Sequence, residues 1–137
     1  MNQFVPERLF MLVHIHDNLY VSDLQERFSK CFQCLKVEFY KKHRKNDRMS
    51  EKYLASPDTR IGEIKNNDNE GDLDIKSWYT VKQVEKDFKE KFGLNVKIFR
   101  KVNGHWMKMP AANQLRLRTQ NNIMAKGGFS MLTHSKN

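Results

Sequence analysis

A chain of 137 residues, 39% of them hydrophobic, is long enough to bury one core of ordinary size, and its two cysteines are too few to make a disulfide framework. The longest apolar run near the start, Leu9 to Ile15 with His14 inside it, falls far short of the roughly 20 residues that a membrane span needs. No secretory leader pattern occurs either, so the sequence predicts a cytoplasmic protein with no membrane partner. The net charge of +9 is unevenly placed: all 16 acidic residues precede residue 91, which leaves the last third a carboxylate-free positive field able to attract polyanions.

Alternation predicts a first strand over Met11 to His16, with Met11, Val13 and Ile15 on one face and Leu12, His14 and His16 on the other. A helix follows over Leu19 to Phe32, because Val21, Leu24, Phe28, Cys31 and Phe32 fall on one stripe. A second strand covers Leu35 to Lys41. The stretch 43–71 reads as a connection in which only Arg60 to Ile64 is ordered, as one helical turn seated by Ile61 and Ile64. A third strand runs over Asp72 to Ser77. Thr80 and Gln83 form a capping box before the next helix, and Gly93 marks its exit. The fourth strand, Leu94 to Val102, turns through Asn103-Gly104, a strong hairpin signal, into His105 to Met109. Residues beyond Pro110 show no firm period, and Lys126 to Asn137 reads as a mobile tail.

One unit occurs twice in this series. Val13 and Ile15 match Leu73 and Ile75 at a spacing of 60, as Val21, Leu24, Phe28 and Phe32 match Val81, Val84, Phe88 and Phe92. After the helix the spacing falls to 59, equating Leu35, Val37 and Phe39 with Leu94, Val96 and Ile98. The expected architecture is a single α+β domain over residues 1–110, with strand-helix-strand copies at 13–42 and 73–101 and a basic, partly flexible segment at 111–137. Two such units with right-handed crossovers assemble most simply as one antiparallel or mixed sheet of four to five strands with both helices on one face, the ferredoxin-like plan.

Two resemblances accompany this reading. Thr80-Val81, Val84, Phe88 and Lys91-Phe92-Gly93-Leu94, with Arg60 to Ile64 and Asp72 to Ile75, resemble parts of β-grasp domains such as ubiquitin and the PB1 modules, which implies a β-grasp-like fold as the alternative. Asp74-Ile75, Tyr79-Thr80-Val81, the run Glu90 to Val96 and Asn103-Gly104-His105-Trp106 together resemble a group of small, uncharacterised bacterial proteins. That likeness implies a bacterial cytoplasmic protein and carries no activity.

Motifs for chemistry are absent. Cys31 and Cys34 form a Cys-x-x-Cys at a helix C-terminus, where the dipole opposes a thiolate, so they read as packing residues and not a redox pair. His14 and His16 leave the sheet opposite the helices and cannot converge with those cysteines on zinc. The acidic turn Asp68, Glu70, Asp72, Asp74 lacks the terminal Glu of a calcium loop, Ser77 standing in its place. Gly127-Gly128 reads as a flexible linker. No nucleotide-binding or hydrolase fingerprint occurs, and the reading is a non-enzyme without cofactor or metal.

A binding surface remains. With helices covering the aliphatic face, the opposite face of the sheet is expected to present Lys36, Tyr40, Lys97, Phe99 and Lys101 beside His14, His16 and Lys76, extended by Trp106 and by Arg116 and Arg118. The expected function is a non-catalytic module that binds a protein partner or a second copy of itself through that face. The alternative is RNA or single-stranded DNA, since rings that stack bases beside cations that hold phosphate are the chemistry of open-sheet nucleic-acid binders.

Overall fold

The computed structural model describes residues 10–41, 51–110 and 116–120. Residues 1–9, 42–50 within the expected connection and most of the segment 111–137 lie outside the described residues. Strand β1 (Phe10–Ile15), helix α1 (Val21–Cys31) and strand β2 (Leu35–Tyr40) are followed by a 3-10 turn (Glu51–Tyr53) and the four-residue helix α2 (Ile61–Ile64). Then come β3 (Gly71–Lys76), α3 (Val81–Phe92), β4 (Asn95–Val102) and β5 (His105–Lys108).

Local chemistry sets these boundaries. The Thr80 hydroxyl accepts the Gln83 N–H at 3.3 Å to start α3. At its end Gly93 adopts a left-handed φ of 62°, so that its own N–H reaches the Lys89 carbonyl and that of Leu94 reaches Phe88. Asn103 and Gly104 have φ of 51° and 81°, the pair of positive values that a tight two-residue hairpin turn requires between β4 and β5.

The chain is α+β, but hydrogen bonds join the five strands into two antiparallel sheets, β1-β3 and β2-β4-β5, and not into one. The pairing is like with like. Val13 lies opposite Leu73 in the first sheet and Glu38 opposite Lys97 in the second, the residues equated by spacings of 60 and 59. Each sheet is therefore centred on positions equated by the sequence spacing. The single sheet of the ferredoxin-like plan is not seen among the described residues. Side chains of α1 reach the strands: Arg27 Nη1 donates to the Leu12 carbonyl of β1 at 2.9 Å, and Gln25 Nε2 to the Val37 carbonyl of β2 at 3.0 Å. Helices sit beside the sheets as well as over their inner faces.

The correspondence runs further than the sequence pattern revealed. Ile61 N–H donates to the Leu19 carbonyl and Gly62 N–H to Asp17, while Leu117 N–H donates to Tyr79 and Arg118 N–H to Ser77. Residues 117–120 thus form a helical turn equivalent to α2, in a stretch where the sequence shows no firm period. Likewise Ala55 N–H meets the Phe39 carbonyl as Met109 N–H meets that of Ile98, so the segment ending at Ala55 flanks β2 as β5 flanks β4.

One core serves both sheets. Met11, Val13, Ile15, Leu73 and Ile75 point inward from β1-β3, Leu35, Val37, Phe39, Val96 and Ile98 from β2 and β4, and the stripes of α1 and α3 complete the cluster. Phe39 of the first unit meets Phe88 of the second edge to face, with ring centroids 5.5 Å apart, so neither unit closes its core alone. Lys65 is buried after α2, where its ammonium meets Asp17 Oδ1 at 2.8 Å and the Asn69 carbonyl, tying the connection to the end of β1.

Two glycines separate conformational from steric demand. A Cβ on Gly93 would lie 2.8 Å from the backbone nitrogen of Asn66, whereas one on Gly104 would meet nothing within 4 Å, although both residues have positive φ. In urea unfolding, Gly93→Ala is expected to cost about 2–4 kcal/mol and Gly104→Ala only about 1–2 kcal/mol. Equal losses would remove the close approach of the α3 exit to Asn66 as a constraint.

Candidate functional site

The alternation of β4 turns Lys97, Phe99 and Lys101 outward, and the register adds Lys36 and Glu38 from β2 and Trp106 and Lys108 from β5 to the same face. The cations already occupy the rings. Lys36 Nζ lies 5.4 Å from the centre of Phe99 and 5.0 Å from that of Trp106, and Lys101 Nζ lies 5.8 Å from Trp106. Lys36 also pairs with Glu38 at 2.9 Å and Lys97 with Glu85 at 3.5 Å.

This basic, aromatic face holds five of the eight residues singled out from the sequence: Lys36, Lys97, Phe99, Lys101 and Trp106. Tyr40 does not belong to it as a contact residue. At 2% exposure it is part of the interior, because the segment ending at Ala55 covers the end of β2. Burial raises the Tyr40 phenol above its ordinary value of 10, and the carboxylates Glu38, Glu51 and Glu85 push it the same way. Arg116 and Arg118 stand elsewhere, beside Ser77 and Trp78: Arg116 Nη1 donates to the Trp78 carbonyl at 3.0 Å. His14 and Lys76 are on the other sheet, so the continuous open face expected from the sequence is divided in two.

The outward side of β1-β3, for which the sequence pointed to Leu12, His14, His16 and Lys76, also carries two rings it did not single out, Phe10 and Trp78. Phe10 is 48% exposed, Leu12 49% and, just past β3, Trp78 42%. Lys76 pairs with Asp74 at 2.6 Å and lies over the rings of Phe10 and Trp78, and His14 Nδ1 meets Asp72 at 2.9 Å. The clue was the unbroken series Phe10-Met11-Leu12-Val13, apolar on both strand parities where a half-buried strand needs only one.

Beside α3 the second unit departs from the first in one respect. Gln25 of α1 donates to the Val37 carbonyl and to Glu38, both at 3.0 Å, which closes the gap between helix and strand. Its counterpart is Glu85, whose carboxylate accepts from Lys97 and from the Ile98 N–H but leaves Oε2 buried without a hydrogen-bond partner. Desolvation raises the Glu85 carboxyl above the ordinary carboxylate range, with Lys97 only partly opposing it.

Among the described residues no group of three or more His, Cys, Asp or Glu side chains converges to hold a metal, and no helix is long and apolar enough to cross a membrane. No protein family, curated protein or solved structure matches the chain.

The raised Glu85 carboxyl fixes the sign of a pH effect. The folded state holds that proton more tightly than the unfolded state, so stability falls as pH rises from the unfolded carboxylate range through the folded value. Glu85→Gln removes that fall, and the difference in urea midpoint, variant minus parent, is expected to grow with pH across this window and then level off. A difference independent of pH would contradict the burial of a strained carboxylate here.

Proposed function

We propose that this chain is a non-catalytic binding module that associates with a second copy of itself through the outward face of β1-β3. One observation carries the reading: Phe10, Leu12 and Trp78 expose apolar surface on neighbouring positions, with the Asp74–Lys76 pair among them. An exposed aromatic and aliphatic centre with a polar surround is the composition of a protein interface. Asp74 and Lys76 lie side by side on the face, so each can meet its opposite in a two-fold related copy. The same like-with-like pairing leads us to infer that the two units arose by tandem duplication.

Sedimentation equilibrium of the whole chain tests this reading. A dimer is expected that tightens between low and moderate salt, because screening weakens repulsion between chains of charge +9. Leu12→Ser with Trp78→Ser, both at exposed positions, is expected to weaken association about tenfold or more with little change in unfolding. A monomer across the salt range, or a dimer indifferent to the two substitutions, would overturn the assignment.

A second reading, single-stranded nucleic acid, is supported by Lys36, Lys97, Lys101 and Lys108 sharing one face with Phe99 and Trp106. Base stacking at about 1–3 kcal/mol outweighs an exposed cation–ring contact of about 0.5–1 kcal/mol, so a base can displace a lysine, which then serves a phosphate. Fluorescence anisotropy with a labelled oligonucleotide is expected to give binding that weakens steeply with salt and is lost in Trp106→Ala with Lys101→Gln. Salt dependence of the opposite sign to that of dimerisation separates the two readings.

A further inference from the structure

Strand β5 marks a second departure between the units. Because Ala55 N–H meets the Phe39 carbonyl as Met109 N–H meets that of Ile98, the places of Glu51, Lys52 and Tyr53 correspond to those of His105, Trp106 and Met107. In the first unit these residues curl into the 3-10 turn. In the second they run on as a strand at the edge of β2-β4-β5, with all four residues of β5 exposed.

The direction of the main chain at this edge follows from the register. Met109 pairs with Ile98, so Met107 and His105, at alternate positions, turn their N–H and C=O groups toward β4, and Trp106 turns its own away. Among the described residues nothing accepts from the Trp106 N–H or donates to its carbonyl. Such an edge is a template for another strand.

Side chains decide which strand fits. On the outer side, Trp106 and Lys108 stand beside Lys101, whose ammonium lies over the Trp106 ring and meets no carboxylate among the described residues. On the inner side, Met107 is 50% exposed. A strand laid along β5 therefore meets positive charge at one set of alternate positions and apolar surface at the other. The lysines also oppose the β5 edge of a second copy, as lysine on an edge strand commonly does.

We propose that β5 is a docking edge for an extended acidic segment of a partner protein, in which Asp or Glu alternates with apolar residues. The segment lies antiparallel to β5 and exchanges two main-chain hydrogen bonds with Trp106. Its carboxylates face Lys101 and Lys108, and the apolar residue between them packs on Met107. This edge belongs to the other sheet from the face assigned to self-association, so either assignment can fail without the other.

Amide chemical shifts of the full chain, titrated with a blocked hexapeptide of alternating glutamate and valine, test the proposal. Saturable shifts are expected over residues 105–109, and the corresponding lysine-valine peptide is expected to bind at least about tenfold more weakly. Methylation of the glutamate nitrogens, whose N–H groups turn toward β5, is expected to weaken binding about tenfold or more, whereas methylation of the valine nitrogens, which turn away, leaves it unchanged. Lys101→Glu with Lys108→Glu, both at exposed positions, is expected to transfer the preference to the lysine-valine peptide. The same shifts are expected in the Leu12→Ser, Trp78→Ser variant, which separates this site from the dimer. No saturation at about millimolar peptide, indifference to glutamate methylation, or an acidic preference that survives the two lysine substitutions would each overturn it. Shifts centred on Lys36, Lys97 and Phe99 instead would place the anion on the open basic face and overturn it equally.

Discussion

Everything in this molecule depends on equivalent strands pairing with one another. Val13 faces Leu73 and Glu38 faces Lys97, so each unit lends its first strand to one sheet and its second to another. Neither sheet exists within one unit. The core is shared for the same reason: Phe39 meets Phe88, and the inward residues of both sheets belong to one cluster. Cooperative folding of the two units together is the direct consequence, because a single unit would leave two lone strands and half a core exposed to water.

That symmetry constrains backbone and interior but not the surface. Pairs such as Phe28 and Phe88, or Leu24 and Val84, are kept apolar because both lie in the shared core. Gln25 and Glu85 occupy equivalent places at a helix edge, and there the side chains differ in charge with opposite results: a closed hydrogen-bonded seam in one unit and an open cleft in the other. The two sheet faces differ in the same way. The outward side of β1-β3 exposes Phe10, Leu12 and Trp78 around the Asp74–Lys76 pair, and that of β2-β4-β5 is basic with its rings under lysine ammonium groups. Differences at equivalent positions are where function can be sought in a chain of this design, since the fold itself does not require them.

Much of the local structure was legible from residue order. The strand and helix positions, the turn at Ile61 and Ile64, the Thr80 cap, the Gly93 exit and the Asn103-Gly104 hairpin all follow from periodicity and short-range chemistry, and each is found within a residue or two of its expected place. The turn at 117–120 was not legible: Leu117 and Gln120 are buried by contacts with the α3 entrance, not by any repeating pattern of their own. Tyr40 was misplaced for a related reason. Alternation put it on the outer face with Lys36, but it is covered by a segment more than ten residues later in the chain, which alternation cannot register.

By itself the sequence determined which residues are apolar, where the chain turns, and that one unit recurs at spacings of 60 and 59. These are properties of neighbours along the chain, settled by backbone preference and the period of burial. Only the tertiary structure decided that the strands form two sheets, that Phe10, Leu12 and Trp78 share an uncovered face, and that β5 lies at a sheet edge with every residue exposed. Strand pairing joins residues about sixty positions apart, and the same alternating pattern satisfies either one sheet or two, so periodicity along the chain cannot choose between them.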